Sequence, residues 1–149
     1  KYIVEVQCEI EGAVKSAITQ TYLVAEPNCE VRLRRREWQG KSFFIHTTTK
    51  RISQNEQLVT ERQISKNLYT SLLQQADPYR QTIEKTRCSF IWKGQYFELD
   101  SYKTPCKGLV ILETKDVAEG EAVKFPPFLR VLEDITGNKR YYNYNMALK

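Results

Sequence analysis

Glu30-Val31-Arg32-Leu33-Arg34-Arg35-Arg36 alternates strictly through Arg34, with Val31 and Leu33 on one side and Glu30, Arg32 and Arg34 on the other. Period-two alternation is the mark of a half-buried β-strand. The polar side is unusual because its charges are matched elsewhere in the chain. His46, Thr48 and Lys50 share one strand face, as do Lys85 and Arg87, Glu98 and Asp100, and Glu113 and Lys115. Opposite them run Val31 and Leu33, Thr86, Cys88 and Phe90, Phe97 and Leu99, and Val110 and Leu112. Two packings satisfy this pattern. The charged faces either meet water around an apolar core, or line an interior while the apolar faces pack outside. A barrel of about eight strands is wide enough to hold one small ligand. Cations converging on such a space repel unless an anion joins them, and arginine forks suit phosphate oxygens.

Outward from this stretch, strands are predicted over residues 1–10, 19–24, 30–36, 42–50, 58–64, 83–92, 96–102 and 109–116. Gln39-Gly40-Lys41 and Lys93-Gly94-Gln95 are hairpin signals. One helix is expected after Ser65, a suitable cap, with Ile64, Leu68, Leu72 and Leu73 at helical spacing and Asp77-Pro78 ending it. A tail with short helical turns and many tyrosines follows Pro126-Pro127. The expected fold is mainly β (α+β): about eight antiparallel strands closed into a tunnel or barrel with a few peripheral helices. No repeat, low-complexity tract or linker divides residues 1–149, so a single domain is expected.

The 149 residues are 41% hydrophobic and 28% charged, which fits a folded chain able to bury a core. No apolar run approaches the roughly 20 residues of a membrane span. The net charge of +5 favours anionic partners, but the only dense basic cluster is Arg32 to Arg36, too short to predict specific nucleic-acid binding. Cys8, Cys29, Cys88 and Cys106 lack metal-ligand spacing, and His46 is the only histidine. Cys8 and Cys88 read as small buried apolar residues, and reduced thiols fit a cytoplasmic setting. The first residue, Lys1, already lies in an alternating segment and the only methionine is Met146, so the chain is expected to be a piece of a longer polypeptide.

The order of segments resembles the CYTH superfamily, the triphosphate tunnel metalloenzymes, over nearly the whole chain. Gln20-Thr21-Tyr22-Leu23 followed by Val31-Arg32-Leu33-Arg34 is similar to its second and third strands. Ile83-Glu84-Lys85-Thr86-Arg87 resembles its Lys-x-Arg strand, and Phe97-Glu98-Leu99-Asp100 its Trp-Glu-Val-Asp strand. Gly108-Leu109 with Leu112-Glu113 resembles the late acidic strand. Pro126-Pro127-Phe128-Leu129, Ile135-Thr136-Gly137 and Arg140-Tyr141-Tyr142-Asn143 resemble the closing segment. The resemblance implies an eight-stranded tunnel that holds a triphosphate on basic residues, with Mg²⁺ or Mn²⁺ on glutamates. It also implies a Glu-x-Glu-x-Lys motif on the first strand, where this chain has Glu5-Val6-Gln7-Cys8-Glu9. Lys115 stands where a second late carboxylate is expected. Mg²⁺ wants carboxylate and phosphate oxygens in tight octahedral geometry, so these changes weaken a metal site. Gln74 to Pro78, Cys88 to Trp92 and Gln95-Tyr96-Phe97 are most similar to the C-terminal domain of the TRPL translocation-defect type. That likeness implies an N-terminal P-loop NTPase partner domain, GTP and phosphoinositide binding, and membrane-protein trafficking.

The expected phosphate contacts are therefore Arg32, Arg34, Lys50, Lys85, Arg87 and Lys115. Glu5, Gln7 and Glu113 are the candidate metal ligands, and Glu30, Glu61, Glu98 and Asp100 the tunnel carboxylates. Arg35 is expected to point outward and Arg36 to enter the turn. His46 is expected to be structural. The tyrosine-rich tail is a candidate contact for a membrane or partner domain. Three functions are open: binding of a nucleotide triphosphate, polyphosphate or phosphoinositide head group without efficient cleavage; divalent-metal-dependent triphosphatase activity, in which positioning and metal do most of the work; or a purely structural role regulating an attached NTPase.

Overall fold

The computed structural model describes residues 1–115, 117 and 121–149. The strands are β1 (Tyr2–Val6), β2 (Val14–Leu23), β3 (Cys29–Trp38), β4 (Lys41–Arg51), β5 (Gln57–Ile64), β6 (Ile83–Trp92), β7 (Gln95–Thr104), β8 (Val110–Thr114) and β9 (Leu129–Asp134). All are antiparallel neighbours in one nine-stranded sheet, ordered β5-β4-β3-β2-β6-β7-β8-β1-β9. Two left-handed residues make each predicted hairpin: Gln39 and Gly40 at φ 49° and 74°, and Lys93 and Gly94 at 49° and 75°. Helix α1 (Lys66–Leu72) starts where Ser65 accepts a hydrogen bond from the Leu68 amide and runs into a 3₁₀ turn, Leu73–Gln75.

The mainly β, antiparallel architecture with few helices is as expected, and several of its details differ. The expected closed barrel of eight strands is a nine-stranded sheet whose outer members, β5 and β9, do not pair. The ninth strand lies in the tail, where proline and short polar runs hid an edge strand beside β1. The first strand ends at Val6 instead of Ile10, which leaves Cys8 exposed instead of buried. On α1 the buried residue is Tyr69, whereas Leu68 is 40% exposed. The predicted strand over 109–116 is Val110–Thr114, and its last position, Asp116, lies outside the described residues.

The sheet packs inside-out. Leu33 and Leu23 pack with Tyr69, supported by Phe44, Ile64, Leu72 and Leu73, so α1 covers the convex face of β2, β3 and β4. Val4, Cys88, Phe90, Phe97, Leu99, Leu112 and Leu129 form a second convex cluster, packed against by Phe125 and Phe128. Burying such side chains contributes about 1.5–3 kcal/mol each. The third cluster lies on the concave face. Tyr22 of β2, Ile83 of β6, Tyr102 of β7 and Ile111 of β8 meet Ile135 and Ala147 there. The sheet curls around this end: Lys1, just ahead of β1, lines one pocket with Tyr22, Glu30 and Arg32 of the distant strands β2 and β3. Helix α2 (Asn143–Met146) and its flanks fill that end of the concavity, with Tyr144 edge-on to Tyr22 at 5.1 Å. No helix is long and apolar enough, among the described residues, to cross a membrane.

Candidate functional site

The register places the remaining charged residues. Opposed residues of adjacent strands share a face. Ser16 faces Arg87 and Ile18 faces Lys85 across β2 and β6, while Tyr22, Gln20 and Ile18 face Arg32, Arg34 and Arg36 across β2 and β3. Arg87 opposes Asp100 across β6 and β7, and Glu98 opposes Glu113 across β7 and β8. Arg32, Arg34, Arg36, Lys85, Arg87, Glu98, Asp100 and Glu113 therefore all project from the concave face, opposite the two convex apolar clusters.

Two subsets behave differently. On β6 and β7 the charges neutralise one another. Arg87 donates through Nε to Asp100 Oδ1 at 2.9 Å and through Nη2 to Oδ2 at 3.0 Å, and its Nη1 lies 2.9 Å from Glu98 Oε2. Lys85 Nζ sits 2.9 Å from Asp100 Oδ2 as an ion pair without hydrogen-bond directionality. Lys115 Nζ closes the network 2.9 Å from Glu98 Oε1. Burial lowers the Lys85 ammonium to about 8 despite Asp100 beside it. Burial alone would raise Asp100, but the Arg87 hydrogen bonds and the charges of Lys85 and Arg87 hold it down to about 2.

On β3, among the described residues, Arg32, Arg34 and Arg36 form no ion pair, although Glu30 lies near Arg32, and Glu61 and Asp100 near Arg34. Arg34 donates through Nε and Nη2 to the single oxygen Gln20 Oε1, at 3.2 and 2.9 Å. Gln20 is held in turn by donating to Tyr22 Oη at 2.7 Å. Arg36 Nε donates to Ser16 Oγ at 3.0 Å. Arg32 Nε is buried with no hydrogen-bond partner. Burial, followed by repulsion from Arg87 and Arg32, lowers Arg34 to about 10, leaving it charged at neutral pH. Half-buried cations held by neutral amide and hydroxyl groups retain unsatisfied charge, and an anion is the group that relieves it.

Of the other expected site residues, Glu30 ends this row and the rest lie off it. Lys50 is a correction. The pairing of Val31 with Thr48 and Leu33 with His46 puts His46, Thr48 and Lys50 on the convex face, one residue out of the expected phase. His46 is lowered there by partial burial and by Arg62. Lys115 lies beyond β8, more than half exposed, and its charge is spent on Glu98. Glu30 is half-buried at the plugged end, where burial raises it despite Arg32 and Arg80. Glu61 accepts a hydrogen bond from Thr47 at 3.3 Å. Arg35 points outward as expected and pairs with Glu37. Arg36 does not enter the turn: β3 continues to Trp38, and Arg36 prolongs the arginine row. The same alternation, carried two residues further, would have found it. Gln20 and Ser16, which steer the guanidiniums, left no signal because neutral polar residues do not stand out in a strand.

The residues present do not fit the divalent ion that the resemblance implies. Among the described residues, no three His, Cys, Asp or Glu side chains come together as a ligand group. Glu5 is exposed and opposes Arg130 across β1 and β9, and Gln7 lies beyond the strand. Glu98 and Asp100 already hold Arg87, Lys85 and Lys115.

No protein-family model matches the chain, and no curated protein matches it by sequence. Solved structures do. The hypothetical protein NE1496 superposes with a TM-score of 0.70 at 26% identity, over 99% of this chain and 95% of that one. A structure described as the inorganic triphosphatase NE1496 gives 0.69 at 26%, over 99% and 91%. PH1819 from Pyrococcus horikoshii OT3 gives 0.51 at 18%, over 71% and 67%, a likeness of fold alone.

Proposed function

We propose that the concave face binds a phosphorylated anion, with a triphosphate chain laid along Arg32, Arg34 and Arg36, and that it holds this ligand without efficient cleavage. The carrying observation is the division of charge: the β6–β7 cations are ion-paired with internal carboxylates, whereas the described residues offer these β3 arginines no ion pair, Arg34 and Arg36 donate to neutral groups and Arg32 Nε has no partner. Lys85 and Arg87 form the floor of the site and set its potential. Lys115 supplies a fixed positive charge beside Glu98 and Glu113 in place of a metal. The CYTH resemblance and the likeness to an inorganic triphosphatase point to the same ligand chemistry. A working role beside a P-loop NTPase domain, with a phosphoinositide head group as the natural anion in a cytoplasmic trafficking protein, rests on the subfamily resemblance alone.

The test is thermal unfolding with sodium tripolyphosphate in EDTA. A ligand selective for the folded state must stabilise it, by about 2.7 kcal/mol at a hundredfold excess over Kd. A midpoint that does not move at millimolar tripolyphosphate, with or without Mg²⁺, overturns the proposal.

The second reading, triphosphate hydrolysis, is favoured by the NE1496 likeness. Phosphate release from tripolyphosphate with Mg²⁺ or Mn²⁺, abolished by Glu5→Ala or Glu113→Ala, would establish it over simple binding.

A further inference from the structure

The two ends of the concavity differ. At one end the apolar surface is covered by α2 and Tyr144. At the other, a cavity of about 390 Å³ is lined by Val14, Arg36, Trp38, Phe43, Ile45 and Gln63. These residues come from four neighbouring strands, β2 to β5, and share the concave face with the arginine row. Phe43 opposes Arg36, and Ile45 opposes Arg34 and Gln63. Trp38 and Val14 remain 37% and 43% exposed, apolar groups at the open end of the concavity beside the arginine row.

Strand geometry arranges this mouth in line with the site. Along β3 the concave-face positions run Trp38, Arg36, Arg34, Arg32, about 6.6 Å apart. Two aromatic residues, Trp38 and its diagonal neighbour Phe43, thus precede the row of cations on this face. A bare inorganic polyphosphate has no apolar part to place against Trp38 and Phe43. A nucleoside triphosphate has both parts, a flat base able to stack and a trailing polyphosphate, and Gln63 offers an amide to the base's polar edge. The cavity also falls within the size range of small-ligand sites.

We infer that Trp38 and Phe43 form a base-stacking subsite, making the preferred ligand a nucleoside triphosphate whose phosphates run from Arg36 towards Arg32. The inference rests on the anion-binding reading above and deepens it.

The experiment titrates ATP, GTP and tripolyphosphate by calorimetry in EDTA, into the wild type and into Trp38→Ala and Phe43→Leu. A nucleotide should bind the wild type tighter than tripolyphosphate by roughly tenfold or more, the scale of one base stacked on an aromatic side chain. Trp38→Ala should remove that advantage and leave tripolyphosphate affinity unchanged. In a Trp92→Phe background, where Trp38 is the remaining tryptophan, the nucleotide should quench fluorescence and tripolyphosphate should not. If tripolyphosphate binds as tightly as both nucleotides, or Trp38→Ala weakens both classes equally, the base subsite is wrong while the anion site stands. If neither class binds, both fall. Phe43→Leu keeps an apolar side chain at a partly buried position, so the test survives should Trp38→Ala fail to fold.

Discussion

Arg34 sits at the centre of the concave row, where burial and repulsion from Arg87 and Arg32 disfavour its charge. Losing a hydrogen bond to a charged partner costs about 1.5–3 kcal/mol. Arg34→Ala should therefore weaken tripolyphosphate binding by roughly tenfold to a hundredfold by that measure, read by calorimetry. Arg35→Ala, one residue along but on the convex face, should leave affinity within twofold or so. Equal losses in the two variants would break the assignment of faces. Asp100 predicts the opposite kind of effect. It neutralises both Lys85 and Arg87 in a buried setting, so Asp100→Ala should destabilise the fold by about 3–5 kcal/mol in denaturant unfolding, because it abandons two cations. The residue scale is where the sequence was least legible. Period two identified Arg32, Arg34, Lys85 and Arg87 as sharing a face, but could not show that only the first two are free, since ion pairing depends on which strands become neighbours. Lys50 went astray for a related reason: Ser42 to Lys50 mixes aromatic and hydroxyl residues on both faces, so nothing local fixed its phase.

Among the elements, β3 with α1 anchors the cation row by what it buries on the other side. Leu33 is fully buried against Leu23 and Tyr69 and lies between Arg32 and Arg34 in the strand. Leu33→Ala should cost about 2–5 kcal/mol, and a strand loosened there should also lose tripolyphosphate affinity. Leu68→Ala, on the exposed side of α1, should cost well under that, within about 0.5–1 kcal/mol. If Leu68→Ala proved the more damaging, the helix would be docked through the face that its heptad-like spacing suggested, rather than through Tyr69. Hairpins and strands were legible here because their signals are local: Gln39-Gly40 and Lys93-Gly94 adopt the left-handed turns their sequence requires. The ninth strand was not. It pairs only with β1, a long-range partner, and its residues are exposed beyond Leu129, so no burial pattern marked it.

At the scale of the molecule, a sheet packed inside-out places ionisable groups where most folds place leucine, so its stability should follow pH through those groups. Asp100 sets the acid limb. Its folded value is held near 2, against an ordinary carboxyl value of 3.8. A carboxyl depressed in the folded state binds its proton more readily when unfolded. Its contribution is complete above pH 3.8 and is lost as pH falls through the window from 3.8 to about 2. The amount is on the order of 2 kcal/mol. Lys85 acts at the other end. Its folded value is lowered from 10.5 to about 8, so the unfolded chain holds that proton longer and this group adds stability as pH rises between the two values. The basic limb should respond to tripolyphosphate, which adds negative charge beside Lys85 and Arg87, favours the protonated amine and shifts its titration upward. Urea unfolding at steps between pH 5 and 2, with carbon-detected titration of the Asp100 carboxyl, checks the acid limb. Stability that is flat from pH 3.8 to 2.5, or an Asp100 carboxyl titrating near its ordinary value, would mean that its bonds to Arg87 and Lys85 do not hold in solution. The charge division on which the anion site depends would fail with them.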